Sequence, residues 1–168
     1  GSRKTPLKIG LQMTRLASAL ESEGFILHSG GADGADRFFE EGVDEFVMKK
    51  IFLPWKGFNG NESKYYEIPK KAYEVAENYH PRYNHLSRPV QSLMARNSQQ
   101  VLGEKLDADV SFIVCWTEDG AASGGTGQAL RIALDRDIPI FNLYEEDAIE
   151  KLFEWIEEEY EQRLGYGN

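Results

Sequence analysis

The apolar positions change period along this chain, and the changes mark out alternating helices and strands. Thr5-Pro6 pairs an N-cap with a proline at the first helical position. Ile9, Met13, Leu16 and Leu20 then recur at steps of four, three and four, which predicts an amphipathic helix ended by Gly24. Phe25-Ile26-Leu27-His28-Ser29 predicts a short strand closed by Gly30-Gly31. A second helix is expected from about Gly34 to Phe46, with Phe38, Phe39 and Val43 inward. Residues 50–55 predict the next strand, and Gly57-Phe58-Asn59-Gly60 a loop.

Ile68, Ala72, Val75, Ala76 and Tyr79 share one helical stripe that breaks at His80-Pro81, and a further helix is expected from Pro89 to Leu102. Residues 110–116 form a continuous apolar run, the pattern of a strand covered on both faces. A loop over 117–123 leads into Gly124-Gly125-Thr126-Gly127 and a helix to about Asp135. Residues 138–143 predict the last strand, and Ile149, Leu152, Phe153, Ile156 and Tyr160 the closing helix. Strands alternating with helices imply a three-layer α/β sandwich, with a mostly parallel central sheet and helices on both faces. No repeat, low-complexity tract or linker interrupts the 168 residues, so a single domain over 1–168 is expected.

Composition narrows the function classes. With 41% hydrophobic residues the chain can build a core. Cys115 is the single cysteine, which excludes an internal disulfide and fits a reducing, cytoplasmic compartment. No run approaches the roughly 18 apolar residues of a membrane span. A formal net charge of −9 disfavours a nucleic-acid partner, which calls for a basic surface. Much of that acid lies between Glu145 and Glu161, as a solvated helix face or an acidic interaction tail.

Two glycine-rich stretches carry the candidate chemistry. Ser29-Gly30-Gly31-Ala32-Asp33-Gly34-Ala35-Asp36 lies between a strand and a helix, where backbone N–H groups and the helix dipole suit an anion. Asp33 fits a helix cap and Asp36 a carboxylate facing water, or either an acceptor for ribose hydroxyls. Ser123-Gly124-Gly125-Thr126-Gly127-Gln128 repeats the arrangement after the 110–116 run, with Thr126 and Gln128 adding uncharged hydrogen bonds. Two such turns at the carboxyl ends of neighbouring parallel strands converge on one crevice.

Other motifs are missing. There is no P-loop, no G-x-G-x-x-G and no G-x-S-x-G elbow, and the spacing of His80 and His85 around Pro81 is poor for a metal, so no metal is expected. Cys115 falls in the buried run and is expected to pack. Arg96 and Asn97 fit a phosphate contact, a subunit contact or a structural ion pair. Trp55 and Trp116 end strands on the pocket side, as a rim for a base or as packing.

These stretches, together with Gly1-Ser2-Arg3-Lys4-Thr5-Pro6, Leu53-Pro54-Trp55, His80-Pro81, 95–103 and Gly124 to Ala129, resemble the SLOG superfamily. This group holds the Rossmann-like domains of DNA-processing protein A and of the Lonely Guy cytokinin-activating hydrolases. The chain looks most like the stand-alone DprA-like proteins of phages and prophages, which places it in the host cytoplasm. The resemblance implies a Rossmann-like fold whose first strand precedes Gly1, with Gly1-Ser2 native to the turn and not a cloning remnant. It implies that Gly1, Ser2 and Arg3, Arg3 as a phosphate contact, join Ser29, Gly30, Gly31, Ala32, Asp33 and Asp36 around a nucleotide-type ligand. Gly124, Gly125, Thr126, Gly127 and Gln128 complete the cradle. Pairing into a homo-oligomer, a dimer or higher, is also implied.

The Lonely Guy pattern P-G-G-x-G-T-x-x-E is only half kept. Ser123 stands for the proline, Gln128 for the threonine and Arg131 for the catalytic glutamate, and an arginine cannot act as a carboxylate base. The leading expectation is therefore a binder of a phosphate-bearing, nucleotide-derived small molecule, such as a phage-encoded sensor or sponge of a defence signal. The alternatives are a nucleoside-monophosphate N-glycosidase using Asp33 or Asp36, and a DNA recombination mediator.

Overall fold

Helices and parallel strands alternate in the computed structural model except at α3 and α4, which follow one another; it describes residues 1–122 and 124–165. Helix α1, Leu7–Ser22, follows Pro6 and buries Met13, Leu16 and Ala17, the middle of the predicted stripe. Strand β1, Leu27–Ser29, leads through the first glycine turn into α2, Ala35–Glu41. β2 is Lys49–Ile51, α3 is Lys70–Tyr79 and α4 is Arg88–Leu102, with Pro89 in its first turn. β3, Ile113–Cys115, precedes α5, Gly124–Asp135; β4, Ile140–Asn142, precedes α6, Ala148–Gly165. Short 3-10 turns at Phe46–Met48, Phe58–Gly60 and Tyr83–His85 were not anticipated.

The strands form two separate parallel pairs where one sheet was expected. β1 pairs with β2, with Leu27 opposite Lys49, and β3 pairs with β4, with Ile113 opposite Ile140. Each strand has three residues, shorter than the five to seven that the apolar runs suggested. β1 and β3 face each other across a slot of about 1280 Å³, with Leu27, His28 and Ser29 on one side and Ile113, Val114 and Cys115 on the other. Residues 25–26 and 110–112 also line this slot, and outside a ladder they are not strand.

Helices tie the two pairs together across the slot. One hydrophobic cluster joins Met13, Ala17, Ala35 and Phe39 of α1 and α2 to Leu143 and Ala148, with Leu27, Val114 and Trp116 packed on it. A second joins Ala72, Ala76, Ala95, Val101, Leu102, Ile132 and Ala133 of α3, α4 and α5, with Ile113 and Ile140 packed on it, and a small third holds Ala32, Leu53 and Phe58. Alternate residues of β3 thus serve different clusters, as period-two side chains must. Among the described residues no helix is long and apolar enough to cross a membrane.

Candidate functional site

The N-terminal turn and the first glycine turn are built against each other. Ser2 O accepts from Ala35 N at 3.0 Å and from Thr5 Oγ1 at 2.7 Å. Gly34 makes this crossing possible. Its φ of 82° and ψ of −128° lie where side chains are rarely tolerated, and a Cβ there would sit 2.4 Å from Ser2 O and 2.7 Å from Arg3 Cα. Residues 1–3 are thereby held at the carboxyl ends of β1 and β3, and Gly1, Ser2 and Arg3 line the mouth of the slot.

Inside the first turn the polar groups are largely spent on one another. Gly31 N donates to Glu40 Oε1 at 2.9 Å, and Ala32 N to Asp36 Oδ2 at 3.3 Å. Ser29 Oγ also donates to Glu40 Oε1. Asn59 Nδ2 donates to Gly31 O at 3.0 Å. The Gly31 and Ala32 amides expected to face a ligand therefore face carboxylates of α2. Of the first-turn candidates Ser29, Ala32 and Asp36 line the slot; Gly30, Gly31 and the exposed Asp33 do not.

Asp36 and Arg96 form a buried pair under this turn. Arg96 is 4% exposed, its Nη1 lies 3.7 Å from Asp36 Oδ2, and it donates to Gly30 O. The Gly1 ammonium lies 2.9 Å from Asp36 Oδ1. Burial alone would raise the Asp36 carboxyl, but the Gly1 ammonium and Arg96 outweigh it and hold it below its ordinary value. Burial pulls Arg96 down while Asp36 opposes that pull, and the guanidinium stays a cation. Gly30 is glycine for the sake of this pair, because a Cβ there would overlap Arg96 Nη1. The guanidinium also lies 5.7 Å from the Phe58 ring, whose other neighbour is Trp55 at 5.2 Å. Of the options open for Arg96, the structure displays the ion pair.

Glu40 was missed in the sequence, although its position four residues after Asp36 places it on the same helix face. Burial raises its pKa, with Ser29 opposing and Asp36 adding to the rise. A raised native pKa means that ionised Glu40 costs stability at neutral pH. That cost is relieved as pH falls through the native value toward 4.5, the ordinary one. In denaturant titrations at a series of pH values, wild type should gain stability relative to Glu40→Gln between neutral pH and about 4.5. A gap that stays constant would refute this. His28, whose pKa burial lowers, is common to both proteins and cancels.

The second glycine turn behaves differently. Gly125 and Thr126 open α5 and line the slot mouth, and Gly125 has nothing within 4 Å of where its Cβ would be. The first N–H groups of a helix have no intrahelical acceptor. Asn97 Nδ2 donates to Gly125 O at 3.1 Å, and Asn97 itself lines the mouth. Gly127 and Gln128 are turned away. Gln128 is 0% exposed and its Nε2 donates to Ser98 Oγ at 3.0 Å, so it fastens α5 to α4. Ser123 lies outside the described residues, and Gly124 is described only as the first residue of α5.

Arg131 Nε donates to Tyr79 O at 2.8 Å and its Nη1 to Ala122 O at 3.4 Å, which ties α5 to the end of α3 and to the loop before α5. Arg3 is exposed at the mouth and has no ion-pair partner among the described residues. Trp116 packs in the α1–α2 cluster, and neither it nor Trp55 lines the slot. Cys115 does line it; burial leaves it 1% exposed and pushes its thiol up to about 11. No group of three or more metal-ligating side chains occurs among the described residues.

Comparison of the chain with family models, with curated proteins and with solved structures finds no match.

Proposed function

We propose that this chain is a Rossmann-like, SLOG-type domain that binds a phosphate-bearing, nucleotide-derived small molecule at the slot mouth. One observation carries the reading. Arg3, a cation without an ion-pair partner among the described residues, the Asn97 amide and the first turn of α5 at Gly125 and Thr126 line one opening of a molecule whose formal net charge is −9. Backbone donors at a helix start favour an anion without adding net charge. The three-layer arrangement is supported by the two clusters on alternate sides of β3. Capture of a nucleotide signal by a phage-type protein belongs to the same proposal. So does a homo-oligomer, for which the adjacent Phe46 and Val47, 73% and 76% exposed, are candidate contacts.

The first glycine turn contributes shape more than donors, because its amides at Gly31 and Ala32 are engaged. The glycosidase alternative gains no support. Asp36 is committed to Arg96, Asp33 lies off the slot, and Arg131 holds backbone carbonyls.

Calorimetry with AMP, ADP, ADP-ribose and cyclic dinucleotides, with adenosine as the phosphate-free control, tests the proposal. At least one phosphate-bearing ligand should bind while adenosine does not. Arg3→Ala should weaken that binding roughly tenfold or more, the worth of a charge-assisted hydrogen bond. Absence of binding by the whole panel at millimolar concentration would overturn it.

A further inference from the structure

Helix α6 outruns the body it is anchored to. Ala148 and Leu152 are buried, and the Trp155 ring lies 5.5 Å from that of Phe112 and 6.2 Å from that of Phe141. Beyond Ile156 the same apolar stripe continues as Tyr160 and Leu164, four residues apart, yet these are 66% and 65% exposed. We propose that this overhang is a docking surface for a basic amphipathic helix of another protein. The apolar stripe of that helix packs on Tyr160 and Leu164, and its lysines and arginines face the flanking glutamates.

The glutamates supply the charge complement. At 3.6 residues per turn, Glu150, Glu154, Glu157, Glu158 and Glu161 fall in one arc of roughly 100° that borders the stripe. All five are exposed, and among the described residues no ion pair neutralises them. Lys151 pairs with Glu145 and Asp147, which leaves Arg163 as the cation of the last turn. Helix stability calls for the reverse arrangement. Carboxylates at i and i+4, as in Glu154 with Glu158 and Glu157 with Glu161, repel one another. The C-terminal end of a helix favours cations, not anions. Lysines would serve a solvated face at these positions better, so the carboxylates answer to a cationic partner.

Beside the overhang lies a groove of about 80 Å³ between Tyr160 and Phe25, with Ser111, Trp155 and Ile156 among its walls. It is far below the roughly 300–1,000 Å³ of a small-molecule site and suits one anchoring side chain of a packed partner. Amphipathic helices dock through such anchors at spacings of three and four. Phe25 and Ser111 precede β1 and β3, so the groove lies at the strand ends opposite the mouth. Occupancy therefore leaves the nucleotide proposal untouched. A second copy packed through its own α6 is a poor occupant, since the two faces would oppose like charges.

Calorimetry with two peptides of about 16 residues and equal leucine and lysine content tests this. One carries its leucines at helical spacing. In the other leucine and lysine alternate, which breaks the stripe and keeps the charge. At about 0.15 M salt the first should bind at least about tenfold tighter than the second. Tyr160→Ser with Leu164→Ser should weaken its binding about tenfold or more and leave Tm unchanged, since both residues are exposed. Glu157→Lys with Glu161→Lys should weaken it by a similar factor while Tm holds or rises, because cations suit a helix C-terminus. No binding, equal binding of the two peptides, or variants that bind as wild type does would overturn the proposal. So would a wild-type dimer in sedimentation that Tyr160→Ser with Leu164→Ser abolishes, which would make a second copy the occupant.

Discussion

Arg96→Met is expected to cost about 3–5 kcal/mol, which for a domain of this size lowers Tm by roughly 10 °C or more. The loss follows from leaving Asp36 buried with one cation removed, together with freeing Gly30 O from its donor. Asp36→Leu alone should cost a similar amount. The double variant should recover much of the loss, because replacing both members of a buried pair by apolar groups is often close to neutral. Denaturant titration of the four proteins closes the cycle. Single variants that cost under about 1 kcal/mol would show that the pair is not coupled as its geometry implies.

The same pair has a pH signature. Its carboxyl is held below 3.8, so it stabilises above that value and the contribution is lost as pH falls through the lower native one. The gap between wild type and Asp36→Asn should therefore narrow only below about pH 4.

Gly34→Ala is expected to have the second large effect, and to act on the mouth as well as on stability. A non-glycine residue at this φ and ψ costs on the order of 1–3 kcal/mol before any contact is counted. The added methyl then meets the backbone of Ser2 and Arg3, which cannot rotate aside as a side chain can. The expected outcome is a loss of about 2–4 kcal/mol by denaturant titration, with residues 1–3 displaced from Ala35. Limited proteolysis near Arg3 should accelerate in the variant. Unchanged cleavage with unchanged stability would remove the N-terminal turn from the site.

Much of this was legible from local pattern, and the exceptions have physical causes. The Met13–Leu16 stripe, the Pro89 start and the 124–135 helix appear where the periodicity put them. Helices satisfy their own hydrogen bonds, so their residues suffice to announce them. Strands depend on a neighbour, and Phe25, Ile26 and Phe112 line the slot outside any ladder despite their strong β propensity. At the site, the sequence marked both glycine turns and could not say which one was already satisfied. Gly31 meets Glu40 only because α2 folds back over its own turn. Asp36 meets Arg96 across a separation of sixty residues, which no local spacing encodes. Gln128 looked like a ligand contact and is a fastener, since helical rotation turns it toward Ser98.

Cys115, the chain's one thiol, sits in the wall of the slot and stays the inert, protonated form at neutral pH. A nucleophile so placed is silenced by its surroundings and not by its chemistry. Its reactivity toward disulfide reagents would be a gauge of how often the floor beneath the mouth breathes, calibrated by a single atom that nothing else in the molecule can mimic.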